Sequence, residues 1–173
     1  MKIKPVEIKK ILYTTDLSDT SLHAFSYAAS LANLYNATIT ILHVMAKNIN
    51  IEPHLAGILD EAQWEEIRKR HHNELRDALI GKSRQEYVAE DALDQFAKNV
   101  KTDSSQLSFE VDEILVINGD PSEKILKVAK DYNFDLIVMG THGHSLVADI
   151  LGSTARRVTR RSEIPVLSVR LSE

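Results

Sequence analysis

The sequence predicts an α/β domain built on parallel strands joined by crossover helices. Three observations carry that expectation. Strand-like and helix-like patterns alternate from one end of the chain to the other, as crossover connections require. The most apolar run, Leu136-Ile137-Val138-Met139, opens directly into Gly140-Thr141-His142-Gly143 and then Gly152-Ser153-Thr154, an order that reads as buried strand, phosphate-sized loop and helix. A chain of 173 residues at 43% hydrophobic content holds one domain with a sizeable core and is short for two.

Ile11 to Thr15 reads as the first strand, and Asp16-Leu17-Ser18 breaks it before a helix whose Leu22, Phe25, Ala29 and Ala32 keep helical spacing. Asn36 suits the left-handed end of that helix. Thr38 to Val44, rich in β-branched residues, forms the second strand. The stretch up to the third strand, near Phe109 to Ile117, is longer than one crossover needs and divides at Gly81 into two helical patterns. Asp60 with Gln63 is a capping box ahead of Ile67, Leu75 and Leu79; Ser83 with Glu86 opens a segment carrying Val88, Ala92, Phe96 and Val100. Glu65 with Lys69 and Glu66 with Arg70 make ordinary surface pairs. Asp120 caps the next helix, with Pro121 at its first position and Glu123 at its third, and that helix ends near Tyr132. Asp135 to Met139 is the fourth strand, Thr154 to Arg161 the last helix, and Pro165 to Val169 a fifth strand whose leading proline suits a sheet edge.

Composition narrows the function classes. With no cysteine there is neither a disulfide framework nor a thiolate metal site, and an intracellular setting fits. No apolar run reaches the roughly 18 residues of a membrane span, and Met1 to Pro5 lacks an apolar targeting core, so a cytoplasmic protein is expected. A net charge of −4 argues against broad nucleic-acid or membrane-surface binding.

Three segments together resemble the universal stress protein family. Lys9 to Ser18 resembles its opening strand ending in an aspartate; Leu42-His43-Val44 is similar to the end of its second strand. Gly140-Thr141-His142-Gly143 through Gly152-Ser153-Thr154, closing with Glu163 to Leu167, resembles its glycine signature and final strand. The resemblance covers a single domain, 1–173, apart from an extra helical segment near 83–101. It implies an open, doubly wound, five-stranded parallel sheet in the order 3-2-1-4-5, of the adenine nucleotide alpha hydrolase-like kind, with ATP or a related adenine nucleotide at the switch point between strands one and four. By that resemblance Asp16 faces the ribose, Thr14, with Thr15 beside it, lies near the adenine, and the Val44 backbone contacts the base. Met139, Gly140, Gly143, Gly152, Ser153 and Thr154 line the ribose and phosphates. The chemistry suits them: a carboxylate accepts from sugar hydroxyls, and a hydroxyl and backbone N–H at a helix start hold phosphate. The eight residues from His144 to Leu151 are one fewer than the family's ATP-binding spacing. That deletion is either absorbed in a turn around His144-Ser145-Leu146 or changes how the helix meets phosphate.

Plainer roles stand beside these. Asp16 also suits a helix start, Gly140 and Gly143 a tight turn, and Ser153 a cap. His71 and His72, adjacent on a helix, point apart and hold no common metal. His142 and His144 lie in the candidate phosphate loop with no paired base and orienting acid, and His43 packs at a strand end. Arg156, Arg157, Arg160 and Arg161 complement a helix C-terminus, although one of them could reach a triphosphate. Trp64 and the Val88-to-Val100 stripe pack on the domain or on a partner chain, where the stripe would cap the pocket or extend an interface.

Three functions follow. The first is a nucleotide-binding stress-response regulator whose occupancy sets a conformation or assembly read by a partner protein. The second is slow ATP hydrolysis with Mg²⁺ or Mn²⁺ bridging the phosphates near Asp16, disfavoured because the chain lacks the Gly-x4-Gly-Lys-Ser/Thr loop and an evident lysine to stabilise transfer. The third is a nucleotide-independent dimeric stress protein. The resemblance also implies a homodimer through the C-terminal edge strand, Pro165 to Leu171, where Val166, Leu167 and Val169 would otherwise be exposed.

Overall fold

The computed structural model describes residues 5–46, 58–73, 84–103, 107–141 and 151–171, without the side chains of 71–73 and 84. Strands β1 (Lys10–Thr15), β2 (Thr38–Met45), β3 (Glu110–Asn118), β4 (Leu136–Gly140) and β5 (Val166–Val169) form one sheet in the order β3-β2-β1-β4-β5. Every pairing is parallel. The crossovers carry α1 (Asp19–Tyr35), α2 (Glu61–Asn73), α3 (Arg84–Asp103), α4 (Pro121–Asp131) and α5 (Ser153–Arg161). The α/β fold class and the strand order match the expectation.

Alternation along the strands sorts the core into two layers. Ile11, Tyr13, Ile39 and Val138 pack with Phe25 of α1 and Leu93 of α3; Leu12, Leu42 and Ile137 pack with Ile125 of α4 and Val158 of α5. Phe25 is the hub of the first layer, its ring 5.0 Å from Tyr13, 5.2 Å from Phe96 and 5.7 Å from Phe109. The Val88-to-Val100 stripe is therefore core: Val88, Ala92, Phe96 and Val100 all join this layer, and Trp64 packs against it too.

Local chemistry sets most boundaries. Ser18 caps α1, accepting from the Ser21 N–H, and Asn36 ends it at φ 53°. Asp120 caps α4 by accepting from the Glu123 N–H. The Asp60–Gln63 box forms reciprocally, at 2.8 and 3.4 Å. At the edge, a register shift leaves Asp112 outside the β2–β3 pairing, where its carboxylate takes the hydroxyls of Thr38 and Thr40.

Several expectations change. Glu65 pairs with Arg68 at 2.8 Å, not Lys69, while Glu66 does pair with Arg70 at 3.2 Å. Glu86 is buried and accepts from Asn118 on β3, a long-range contact beyond the local spacing; Ser83, its expected capping partner, lies outside the described residues, as do Gly81, Leu75 and Leu79. Val169, expected on the exposed edge, is only 4% exposed and packs in the first layer. An edge strand has an unpaired side but still presents one face to its own helices. No described helix is long and apolar enough to cross a membrane.

Candidate functional site

The site begins where β1 hands the chain to α1. Tyr13 is fully buried and its hydroxyl donates to the Ser21 carbonyl at 2.7 Å, while burial pushes the phenol far above its usual pKa. Thr15 faces the same layer: its hydroxyl meets that of Ser21 at 2.9 Å and accepts the Leu17 N–H at 2.9 Å. The chain then reverses through Leu17 at φ 67°, an uncommon conformation for leucine, held by a side chain only 4% exposed. These contacts set Asp16 at the rim, where Oδ1 accepts the Ser18 hydroxyl at 2.6 Å and its N–H at 3.1 Å. Asp16 is thus both part of the helix start and a liner of the cleft beside it.

That cleft holds about 270 Å³ and opens where the sheet order reverses, at the C-terminal ends of β1 and β4. One end is apolar: Leu42, Val44, Ile125, Met139 and Pro121 give a slot suited to a flat ring. Val44 is brought there by the β2 end, which is tied to β1 by the His43 Nδ1 contact with the Thr15 carbonyl at 2.9 Å. His43 is buried, as a packing residue at a strand end would be.

The other end is polar. Gly140 passes so close to α1 that a Cβ would come within 2.9 Å of the Ser21 nitrogen and 3.1 Å of Thr20 carbon, so only glycine fits. Thr141 then bonds twice through its backbone, donating to Val169 and accepting the Gly152 N–H, each at 2.8 Å. The second bond joins the two ends of the glycine loop at its base. From Gly152 the chain enters α5 with no side chain capping it, unlike α1 and α4, so first-turn N–H groups beside Ser153 and Thr154 face the cleft's polar end.

Among the described lining residues Asp16 is the one charged side chain. The polar groups lining the cleft's other end are hydroxyls and backbone N–H groups at a helix start. Arg157, on α5, pairs with Asp120 at 3.6 Å; the carboxyl of Asp120 is held below its ordinary pKa by the Ser122 hydroxyl, the Glu123 N–H and, more weakly, this guanidinium.

The structure brings Thr14, Thr15, Asp16, Val44, Met139, Gly140, Gly152, Ser153 and Thr154 to this one cleft. Gly143, His142 and His144 lie outside the described residues, as do the side chains of His71 and His72. Reading the sequence missed Thr141, Ser21, Leu42, Pro121 and Ile125, which also line it. Thr141 was findable, since it sits inside the glycine motif; Pro121 and Ile125 reach the cleft only because α4 packs back against β2.

Comparison with known proteins gives a consistent result. The pattern of the universal stress protein family matches residues 7–170. The chain is 30% identical over 167 residues to universal stress protein MJ0577 of Methanocaldococcus jannaschii, covering 95% of this chain and 96% of that one. The solved structure of MJ0577 superposes with a TM-score of 0.62 at 28% identity, over 97% of this chain and 99% of that one. A universal stress protein in complex with cAMP shares the fold at a TM-score of 0.55 and 22% identity, covering 96% and 99%. The universal stress protein from Archaeoglobus fulgidus in complex with dAMP does so at 0.51 and 17%, covering 95% and 99%.

Proposed function

The chain belongs to the universal stress protein family, and on that premise we propose that it binds an adenine nucleotide in the β1–β4 cleft, where occupancy sets a conformation or assembly that a partner protein reads. One observation carries the reading: residues far apart in the chain converge on a cleft with an apolar slot at one end and an uncapped helix start at the other. A nucleotide has that same polarity, a flat base joined through a sugar to an anion. In this reading Thr14 and Val44 meet the base, Asp16 accepts from the ribose hydroxyls, and Gly140, Gly143, Ser153 and Thr154 serve the phosphate end. Fold relatives in complex with cAMP and dAMP support the adenine class.

ATP is the proposed ligand, with Mg²⁺ or Mn²⁺ as the ion that would accompany its phosphates. Asp16 and the hydroxyls of Ser153 and Thr154 offer the hard oxygen donors such ions prefer. Binding suits the site better than turnover, because no lysine or arginine lines the described cleft to stabilise a transferring phosphoryl group. The same reading makes the protein a cytoplasmic homodimer joined along β5.

The test is calorimetric titration of nucleotide-free protein with ATP beside Asp16→Ala. We expect saturable binding, weakened by about tenfold in the variant through loss of charge-assisted hydrogen bonds. Absence of heat and of any competing nucleotide, with or without Mg²⁺, would transfer the chain to the nucleotide-independent alternative.

A further inference from the structure

An ion pair, Arg157 with Asp120, lies beside the cleft. Arg157 lies four residues beyond Ser153 on the same face of α5, about 6 Å along the helix and within reach of an extended arginine. Asp120 directly precedes Pro121, which also lines the cleft. The pair thus links the start of α4 to the second turn of α5. It is also a loose pair: Arg157 Nη1 is 3.6 Å from Asp120 Oδ2, and the side chains are 58% and 42% exposed. Asp120 is otherwise committed, since its Oδ1 takes the Ser122 hydroxyl at 2.6 Å and the Glu123 N–H at 3.0 Å. Exposed pairs of this kind contribute little, so releasing the guanidinium costs little, whereas a polyphosphate tail, extending past the first phosphate toward Arg157, offers it bidentate anionic partners that AMP and adenosine lack.

We infer that Arg157 is a specificity residue of the nucleotide site, parked on Asp120 until a polyphosphate tail draws it across, so that the Arg157–Asp120 pair discriminates ATP from adenosine and AMP. The inference rests on adenine-nucleotide binding in the cleft. Asp120 opposes the exchange in two ways: it competes for the guanidinium, and its own charge repels the incoming tail.

The experiment measures the affinities of adenosine, AMP and ATP for the wild-type protein, Arg157→Gln and Asp120→Asn. Glutamine keeps helix propensity, and asparagine keeps the α4 cap while removing the charge. Arg157→Gln should weaken ATP by roughly five- to tenfold and leave adenosine within about twofold, while Asp120→Asn should tighten ATP alone by about threefold. The wild-type preference for ATP should also shrink as salt is raised. An ATP-to-adenosine affinity ratio unchanged in Arg157→Gln overturns the inference and leaves the cleft assignment standing, as does tighter binding of all three ligands to Asp120→Asn. A wild-type protein that binds none of the three overturns both.

Discussion

At the end of β4 the backbone runs against the first turn of α1, and Gly140 is the residue that permits it. The atoms a Cβ would strike are backbone atoms of Ser21 and Thr20, anchored in turn by the Tyr13 hydroxyl and the Thr15–Ser21 contact. They cannot swing aside as a lysine tip would. Gly140→Ala should therefore destabilise the fold by about 1–3 kcal/mol, the usual range for overpacking, visible as a lower urea midpoint with unchanged slope. A midpoint equal to wild type would show that helix and strand have slack the distances do not suggest. The glycine is thus a packing requirement in its own right, whatever it touches in the cleft.

Helices differ in what their starts are for. α1 and α4 close their first turns with Ser18 and Asp120, satisfying donors that would otherwise seek water. α5 begins at Gly152 without a side-chain cap, and the proposed nucleotide phosphate would take those donors. α3 has a different task. Its Val88, Ala89, Ala92 and Leu93 are all buried in the layer around Phe25, and Glu86 bonds Asn118 at the end of β3. Leu93→Ala should cost about 2–5 kcal/mol in thermal or chemical denaturation at any protein concentration. Had the stripe served a partner chain, the same change would leave monomer stability intact and alter only self-association.

For the molecule as a whole, the proposed homodimer places its interface on β5. Its inner side is used: Ile137 donates to the Pro165 carbonyl and Thr141 to that of Val169. Alternation turns the Val166 and Ser168 backbone groups outward, where a second copy would pair. Val169 is buried, so altering it would test folding; Ser168→Pro removes an outward N–H without touching the ladder to β4. If the proposed dimer forms along β5, that variant should sediment as a monomer at concentrations where the wild-type chain sediments at twice that mass, with similar thermal stability. Equal masses for the two would place the interface elsewhere.

Much of this was legible in the chain. Periodicities of two and 3.6 marked strands and helices, Asp120-Pro121 and Asn36 marked helix ends, and the glycine motif after the Leu136–Met139 run pointed to the cleft before any contact was visible. These signals are local: each depends on neighbours a few residues away, where backbone sterics and capping chemistry act. What lay beyond them shares one cause. A stripe such as Val88 to Val100 says which residues share a face and nothing about what covers it, so its burial against Phe25 could not be read. Likewise the bond from Asn118 of β3 to Glu86 leaves no trace in the local spacing. The approach of Gly140 to Ser21, the inward turn of Val169 and the meeting of Arg157 with Asp120 each join residues distant along the chain or on different elements, and only the packed sheet and its helices bring them within contact.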